Sequence, residues 1–216
     1  MLLSKSWASS EEVETMKKII LTGGTSGGKT TILERLKKRF NRNAVFVRET
    51  ATLLLEGGYP KPGDLLPWSQ DWHLLFEDAV FYLQRSLEDA SSLVARHQNC
   101  DLIICDRGLL DVAGHLPGGR AQFCCRYDTT EEESLSRYDV VIHLVSFAMF
   151  DPTGYSAVAE TRWGNSHLSS LEYAHCTERA TLDAWSNHKR RYIVGGQGNI
   201  DRKTAEVIEI IERAIA

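Results

Sequence analysis

The stretch Lys17-Lys18-Ile19-Ile20-Leu21-Thr22-Gly23-Gly24-Thr25-Ser26-Gly27-Gly28-Lys29-Thr30-Thr31 restricts the fold more than any other part of the chain. A short apolar run enters a glycine-rich loop that hands over to a segment of helical character, so the pattern predicts strand, loop and helix in immediate succession. Gly23, four residues, then Gly28-Lys29-Thr30 fits G-x-x-x-x-G-K-[ST], a phosphate-binding loop in the strand-to-helix setting it needs. Glycine lets the backbone take φ > 0 and approach an anion with no Cβ in the way, so successive N–H groups can point at phosphate oxygens. The helix adds N–H groups without intrahelical partners and a dipole that favours negative charge. Gly24, Thr25, Ser26, Gly27, Gly28, Lys29, Thr30 and Thr31 are therefore expected to hold the phosphates of ATP. Lys29 would act as a point charge for the β- and γ-phosphates, and Thr30 would offer a hydroxyl to Mg²⁺.

The rest of the chain repeats the alternation. Apolar runs predict further strands at Ala44–Val47, at Asp101–Asp106, at Asp139–Val145 and at Tyr192–Val194. Helical periodicity follows at Lys29–Phe40, Ser69–His97, Leu171–Asn187 and Asp201–Ala216. In the long second helix Trp72, Phe76, Ala79, Leu83, Leu87, Ala90 and Val94 form the expected apolar stripe; in the last one Ala205, Ile208, Ile211 and Ile215 do. Gly57 to Gly63, with three glycines and two prolines, reads as an exposed loop. Such alternation implies an α/β fold, a mostly parallel sheet covered by helices on both faces. At 216 residues it is expected to form a single domain over residues 17–216, after an N-terminal extension at 1–16 rich in Ser and Glu. Periodicity is lost over about 147–170, which reads as a lid-like segment.

A net charge of −4 and a pI near 6.0 give no electrostatic basis for general nucleic-acid binding. No apolar run approaches a membrane span, and the five cysteines lack paired zinc spacing, so a cytoplasmic protein with reduced thiols is expected.

In open α/β sheets ligands bind beyond the carboxyl ends of the strands, which singles out three places. Asp106 closes the apolar run Leu102–Cys105, where a carboxylate can hold Mg²⁺ or else cap a helix, and neighbouring Arg107 can clamp a phosphoryl group or form a surface ion pair. Glu49 ends the second strand and can accept the proton of an attacking hydroxyl, or pair with Arg48 or cap a helix; Asp111 competes for the first role. Arg162, in the irregular segment, can close over a nucleotide, with Arg120, Arg126 and Arg137 as alternatives. His143 reads as a core histidine, while Trp163 and Trp185 are suited either to packing or to stacking on a base.

The order of the phosphate loop, Arg48-Glu49-Thr50-Ala51-Thr52-Leu53-Leu54-Leu55-Glu56-Gly57-Gly58-Tyr59-Pro60 and Cys105-Asp106-Arg107-Gly108-Leu109-Leu110-Asp111 resembles the small AAA-type P-loop domains grouped with the ribosylnicotinamide kinase domain. Leu116 to Gly119, Arg137 to Leu144 and Leu182 to Trp185 extend the likeness from Lys17 to the C-terminus. The resemblance implies a three-layer P-loop NTPase fold of kinase type, with five parallel strands in the order 2-3-1-4-5. The Asp-Arg pair also looks like that of deoxynucleoside and thymidylate kinases, which would put Asp106 on the metal, Arg107 on phosphates and Glu49 beside the acceptor, with Gln84 and Arg85 facing the acceptor too. The function expected is ATP- and Mg²⁺-dependent phosphotransfer to a small hydroxylated acceptor such as a nucleoside or nucleotide, with Lys29, Glu49, Asp106, Arg107 and Arg162 as catalytic residues. The rival is a nucleotide-binding switch that signals to a protein partner. The acceptor, the choice of ATP over GTP and the oligomeric state are left open by the sequence.

Overall fold

The structure, a computed structural model, describes residues 16–62, 66–156, 170–195 and 199–216. Its described residues contain one sheet of five parallel strands, β1 (Lys17–Thr22), β2 (Ala44–Val47), β3 (Leu102–Asp106), β4 (Val140–Leu144) and β5 (Arg191–Val194), in the order β2-β3-β1-β4-β5. The central β1 lies between β3 and β4, with Leu21 opposite Asp106 and Thr22 opposite His143. That register brings the end of β3 level with the start of the glycine loop. β-branched and aliphatic residues fill most of the central strands β1, β3 and β4 because these are buried from both faces.

The period-two alternation of the strands divides the core. Ile19 and Leu21 face one layer with Ile104, Val140 and Ile142, packed against Ile32, Leu33 and Leu36 of α1 (Lys29–Arg39). Val207, Ile210 and Ile211 of the last helix, Ile200–Ile215, complete that layer. Ile20, Ile103, Cys105 and Val141 face the other layer, against Phe81, Leu110, Phe123 and Trp185. Each such aliphatic side chain contributes about 1.5–3 kcal/mol by leaving water.

The remaining helices follow in chain order. A short helix α2 (Thr50–Glu56) follows β2, and α3 (Gln70–Gln98) runs from a Ser69 cap whose side chain accepts from the Trp72 N–H at 3.1 Å. Between β3 and β4 lie a 3₁₀ turn (Leu109–Gly114) and the helices α4 (Gly119–Arg126) and α5 (Glu131–Ser136). α6 (Leu171–Ala184) precedes β5, and the last helix is α7 (Ile200–Ile215). No described helix is long and apolar enough to cross a membrane. All five cysteines are free thiols, Cys125 and Cys176 exposed.

Two apolar stripes expected from periodicity are displaced. In α3 the buried residues are Glu77, Phe81, Gln84, Glu88 and Ala95, while Val94 of the expected stripe is exposed. Glu88 is fully buried because it meets donors from Gln84 at 3.0 Å and Tyr138 at 2.9 Å, with Arg137 at 3.2 Å and Lys18 at 3.5 Å beside it. A carboxylate so paired is retained inside where an unpaired one would be expelled. In α7 the buried face is Lys203, Thr204, Val207, Ile210, Ile211 and Ala214, which shares only Ile211 with the expected stripe.

Candidate active site

The glycine loop is held by its carbonyls. Gly23 takes φ 128°, where a Cβ would lie 2.2 Å from the Leu144 carbonyl oxygen, so this close crossing of β1 and β4 requires glycine. Gly28, at φ 84°, turns the chain into α1. Lys29 Nζ donates to the carbonyls of Gly23 at 2.9 Å and Gly24 at 2.7 Å. Ser146 Oγ takes the Thr25 carbonyl at 2.5 Å, the Phe147 N–H that of Ser26 at 3.2 Å, Lys203 Nζ that of Gly27 at 2.9 Å and the Ile32 N–H that of Gly28 at 3.0 Å. Every carbonyl from Gly23 to Gly28 is thus partnered. By contrast, among the described residues no hydrogen bond takes up the N–H groups of Thr25 through Thr30. A loop whose carbonyls are tied down and whose N–H groups are left over is built for an anion.

Two residues that carry this frame were not singled out by sequence. Glu178 of α6, fully buried, accepts the Gly24 N–H at 2.9 Å and the Ser146 N–H at 3.3 Å, and pairs with His143 Nε2 at 2.8 Å. Burial opposes its ionisation, but the His143 contact and the two backbone donors outweigh it and lower its pKa. The Gly24 N–H is therefore committed inside the fold and is withdrawn from the expected phosphate donors. Lys203 bridges Gly27 to the Val145 carbonyl at 2.6 Å, and burial pushes its ammonium down to about 8, partly offset by Glu178 and Glu206. A histidine in the otherwise apolar run Val140–Leu144 was the sequence signal that a buried acid must lie nearby.

Beside the loop, Asp106, Arg107 and Glu49 come together from neighbouring strand ends. Arg107 has φ 70°, uncommon for a residue with a side chain, and its N–H continues the sheet by bonding the Leu21 carbonyl at 2.9 Å. Its guanidinium reaches Glu49 Oε1 at 2.7 Å, Asp111 Oδ1 at 3.1 Å and the Gly23 carbonyl at 3.3 Å. Glu49 thus pairs with Arg107 across 58 positions, whereas Arg48 turns away to Glu56 at 2.8 Å. Asp111 is a structural anchor: buried, it accepts from Thr22 Oγ1, from the Gly108 N–H at 2.9 Å and from Trp185 Nε1 at 3.2 Å as well as from Arg107. With that many donors it has no capacity for an acceptor hydroxyl, and Trp185, fully buried, packs in the core.

The charges on these groups are set by one another. Burial raises Glu49, but the Arg107 charge, hydrogen bonds from Thr52 and Arg107, and Lys29 together hold it at about 2. Burial and the Glu49 charge push Asp106 up to about 6 against Lys29 and Arg107. Burial and the Arg107 charge bring Lys29 down to about 8, with Asp106, Glu49 and Asp111 opposing. Arg107 is driven still further above its ordinary range, Glu49 and Asp111 outweighing burial.

Whether these residues suit Mg²⁺ rests on one atom. Asp106 Oδ1 is buried with no hydrogen-bond partner, the one carboxylate oxygen in that condition among the described residues. A hard divalent cation that takes one or two carboxylates, a hydroxyl and phosphate oxygens satisfies such an atom, and Thr30 lies exposed on the loop to supply the hydroxyl. The donor set fits. No group of three or more His, Cys, Asp or Glu among the described residues forms a protein-only metal cage, and Mg²⁺ bound with phosphates does not need one.

On the outer side of the loop a cavity of about 180 Å³ is lined by Ser26, Gly28, Phe147, Phe150, Asn199 and Lys203, among others. Arg162 and Trp163 lie outside the described residues, as does most of the expected lid segment at 147–170. Arg120 pairs with Glu131 at 2.6 Å, Arg126 grips Asp78 with two bonds of 2.6 Å, and Arg137 holds Glu88 and Asp89. Gln84 is spent on structure, bonding Thr50, Glu88 and the Arg107 carbonyl at 3.1 Å, and Arg85 lies on the exposed face of α3.

Comparison with known proteins agrees with this architecture. A family model described as an AAA domain matches residues 18–203. No curated protein sequence matches the chain. Among solved structures, a thymidylate kinase from Ehrlichia chaffeensis is similar with a TM-score of 0.56 at 16% identity, over 91% of this chain and 99% of that one. A deoxyadenosine kinase from M. mycoides with the products dCMP and dCDP bound is similar with a TM-score of 0.54, also at 16% identity over 91% and 99% of the two chains. At such identity the likeness establishes the kinase-type P-loop fold.

Proposed function

The chain belongs to the AAA-domain family, and from the residues around its phosphate loop we propose that it is an ATP- and Mg²⁺-dependent phosphotransferase acting on a small hydroxylated acceptor, a nucleoside or nucleotide. One observation carries the reading. Two carboxylates from adjacent strand ends stand beside the loop in opposite conditions, Asp106 with a bare buried oxygen and Glu49 fixed on Arg107 at 2.7 Å. A metal site explains the first; an NTPase switch has no use for the second, whereas a phosphotransferase needs a group to orient its acceptor.

In this reading the loop N–H groups and Lys29 bind the β- and γ-phosphates, while Thr30 and Asp106 hold Mg²⁺. The ion supplies charge neutralisation on the phosphates. Glu49, at about 2, orients the acceptor hydroxyl through a hydrogen bond and is too weak a base to remove its proton beforehand. Arg107 is positioned to neutralise charge on the transferring phosphoryl group, because its backbone and three side-chain contacts fix it in place. Arg162 joins the proposal on its sequence position alone. The kinase names of the similar folds support the reaction class.

The experiment is ADP release from Mg²⁺–ATP with a panel of nucleosides and nucleoside monophosphates. Acceleration by one acceptor, abolished in Lys29→Ala, is expected. ADP release that no acceptor accelerates would refute phosphotransfer.

A further inference from the structure

Away from the phosphate loop, the outer side of α3 carries an open hollow of about 760 Å³, lined by Tyr82, Arg85, Ser86, Asp89, Leu93 and Arg96, among others. Steps of three, four and seven residues put these side chains on one face of the helix, distinct from the buried face of Phe81, Gln84 and Glu88. Its apolar members stay in water, Tyr82 at 60% and Leu93 at 63% exposure, and Leu75, seven residues before Tyr82, continues the face at 61%. Its charge is one-sided. Asp89 is taken by Arg137 at 2.8 Å, whereas Arg85 and Arg96 pair with nothing among the described residues. An apolar stripe flanked by unpaired cations suits a segment that is itself apolar and acidic.

The chain supplies such a segment. Residues 1–15 hold Leu2, Leu3, Trp7 and Val13, and carry Glu11, Glu12 and Glu14 against a single lysine, Lys5. They join the described fold at the matching end of the helix. The Lys17 N–H donates to the Asp101 carbonyl at 2.7 Å, just past the end of α3 at Gln98. Met16 packs against the layer that includes Phe81, Ala95 and Cys100, so the chain enters β1 from the α3 side of the sheet. The helix from Tyr82 to Arg96 is about 21 Å long at its rise per residue, and the chain from Trp7 to Met16 can span up to about 30 Å.

We propose that residues 1–15 of this chain lie along the outer face of α3, with Trp7 against Tyr82 and Leu93 and the glutamates paired with Arg85 and Arg96. A second copy docked by the same face would set Arg85 and Arg96 of one chain against those of the other, a like-charge contact that the acidic segment avoids. Tethering favours the segment as well, since its effective concentration at the helix is of millimolar order at any protein concentration. On its inner side α3 holds the Arg107 carbonyl through Gln84 at 3.1 Å, so the strap backs the candidate site without entering it.

The test places the photo-cross-linker p-benzoylphenylalanine at the position of Leu93 in the full chain, irradiates an equal mixture of isotopically light and heavy protein, and maps the products by mass spectrometry. Cross-links to residues 1–15 within one chain are expected, at a yield that dilution leaves unchanged. Arg85→Glu combined with Arg96→Glu should lower that yield about 3- to 10-fold, and adding Glu11→Lys, Glu12→Lys and Glu14→Lys should restore it. Thermal melts verify that the variants fold. The three lysine substitutions alone, which leave α3 intact, should lower the yield by as much and decide the matter if the arginine variant does not fold. Three results overturn the inference: no cross-link to residues 1–15, cross-links that join light to heavy chains and so place a second copy on this face, or a yield that neither charge reversal changes.

Discussion

Glu77 of α3, buried and accepting no hydrogen bond from a described residue, makes a stability prediction that needs no ligand. Its folded pKa of about 8, raised chiefly by burial, stands above its ordinary 4.5, so between those values the folded chain holds a proton that the unfolded chain has released. Folded stability therefore falls as pH rises through that window, and the loss is complete above about 8. A separation of about 3.5 in pKa, at about 1.4 kcal/mol each, sets a ceiling of about 4.9 kcal/mol. Water reaching the 5% of the residue that is exposed, and relaxation of its neighbours, reduce the expected loss to about 2–4 kcal/mol. Glu77→Gln keeps the shape and cannot ionise, so it escapes this loss. Its melting temperature, followed by circular dichroism at constant ionic strength, should match wild type near pH 5 and exceed it by about 4–16 °C at pH 8.5, at about 2–4 °C per kcal/mol for a chain of this size. Lys29 and Lys203 titrate in both proteins and cancel in the difference. A gap that stays constant with pH, or that closes as pH rises, refutes the argument that Glu77 is buried without a partner.

Glu178→Ala leaves the Gly24 and Ser146 N–H groups and His143 without their partner, which should cost about 3–5 kcal/mol in denaturant unfolding and weaken ATP analogue binding through a loosened loop. Asp111→Ala should destabilise by a similar margin, about 3 kcal/mol or more, because it strands donors from Thr22, Gly108, Trp185 and Arg107; an unchanged midpoint would return Asp111 to the list of acceptor ligands. Glu49 has a folded pKa below its ordinary value, so its contribution is present above about 4.5 and is lost as pH falls toward 2. Glu49→Gln should accordingly be about 1–3 kcal/mol less stable than wild type at pH 7, discounted for its 28% exposed side chain, with the difference vanishing toward pH 2. Asp106→Asn should lower Mg²⁺-dependent ATP binding, read by titration with and without the ion, about 10-fold or more, while leaving metal-free binding unchanged.

What could be read from the sequence follows the range of the interaction concerned. The strands at Ala44–Val47 and Leu102–Asp106 and the turn at Gly23 to Lys29 are local: an apolar run with one meaning, or a spacing that only a phosphate loop requires. The inward faces of α3 and α7 were misread because hydrophobic counting assumes that polar residues face water. In both helices the buried face is partly polar for the same reason, since each must fasten the site to the sheet: Gln84 holds Arg107, and Lys203 holds Gly27. Partners so far apart in sequence, 58 positions for Arg107 and Glu49 and 154 for Gly24 and Glu178, leave no periodic trace.

The same polar bonds divide the cleft into two kinds of surface. Around the loop each carbonyl from Gly23 to Gly28 is engaged, Glu178 is saturated by His143 and two N–H groups, and Asp111 by four donors. These groups have nothing left to offer a ligand, and they fix the geometry of those that do. At the loop and the adjoining end of β3, the N–H groups of Thr25 to Thr30 and the Oδ1 of Asp106 stay unbonded. The first are suited to an anion and the second to a hard cation.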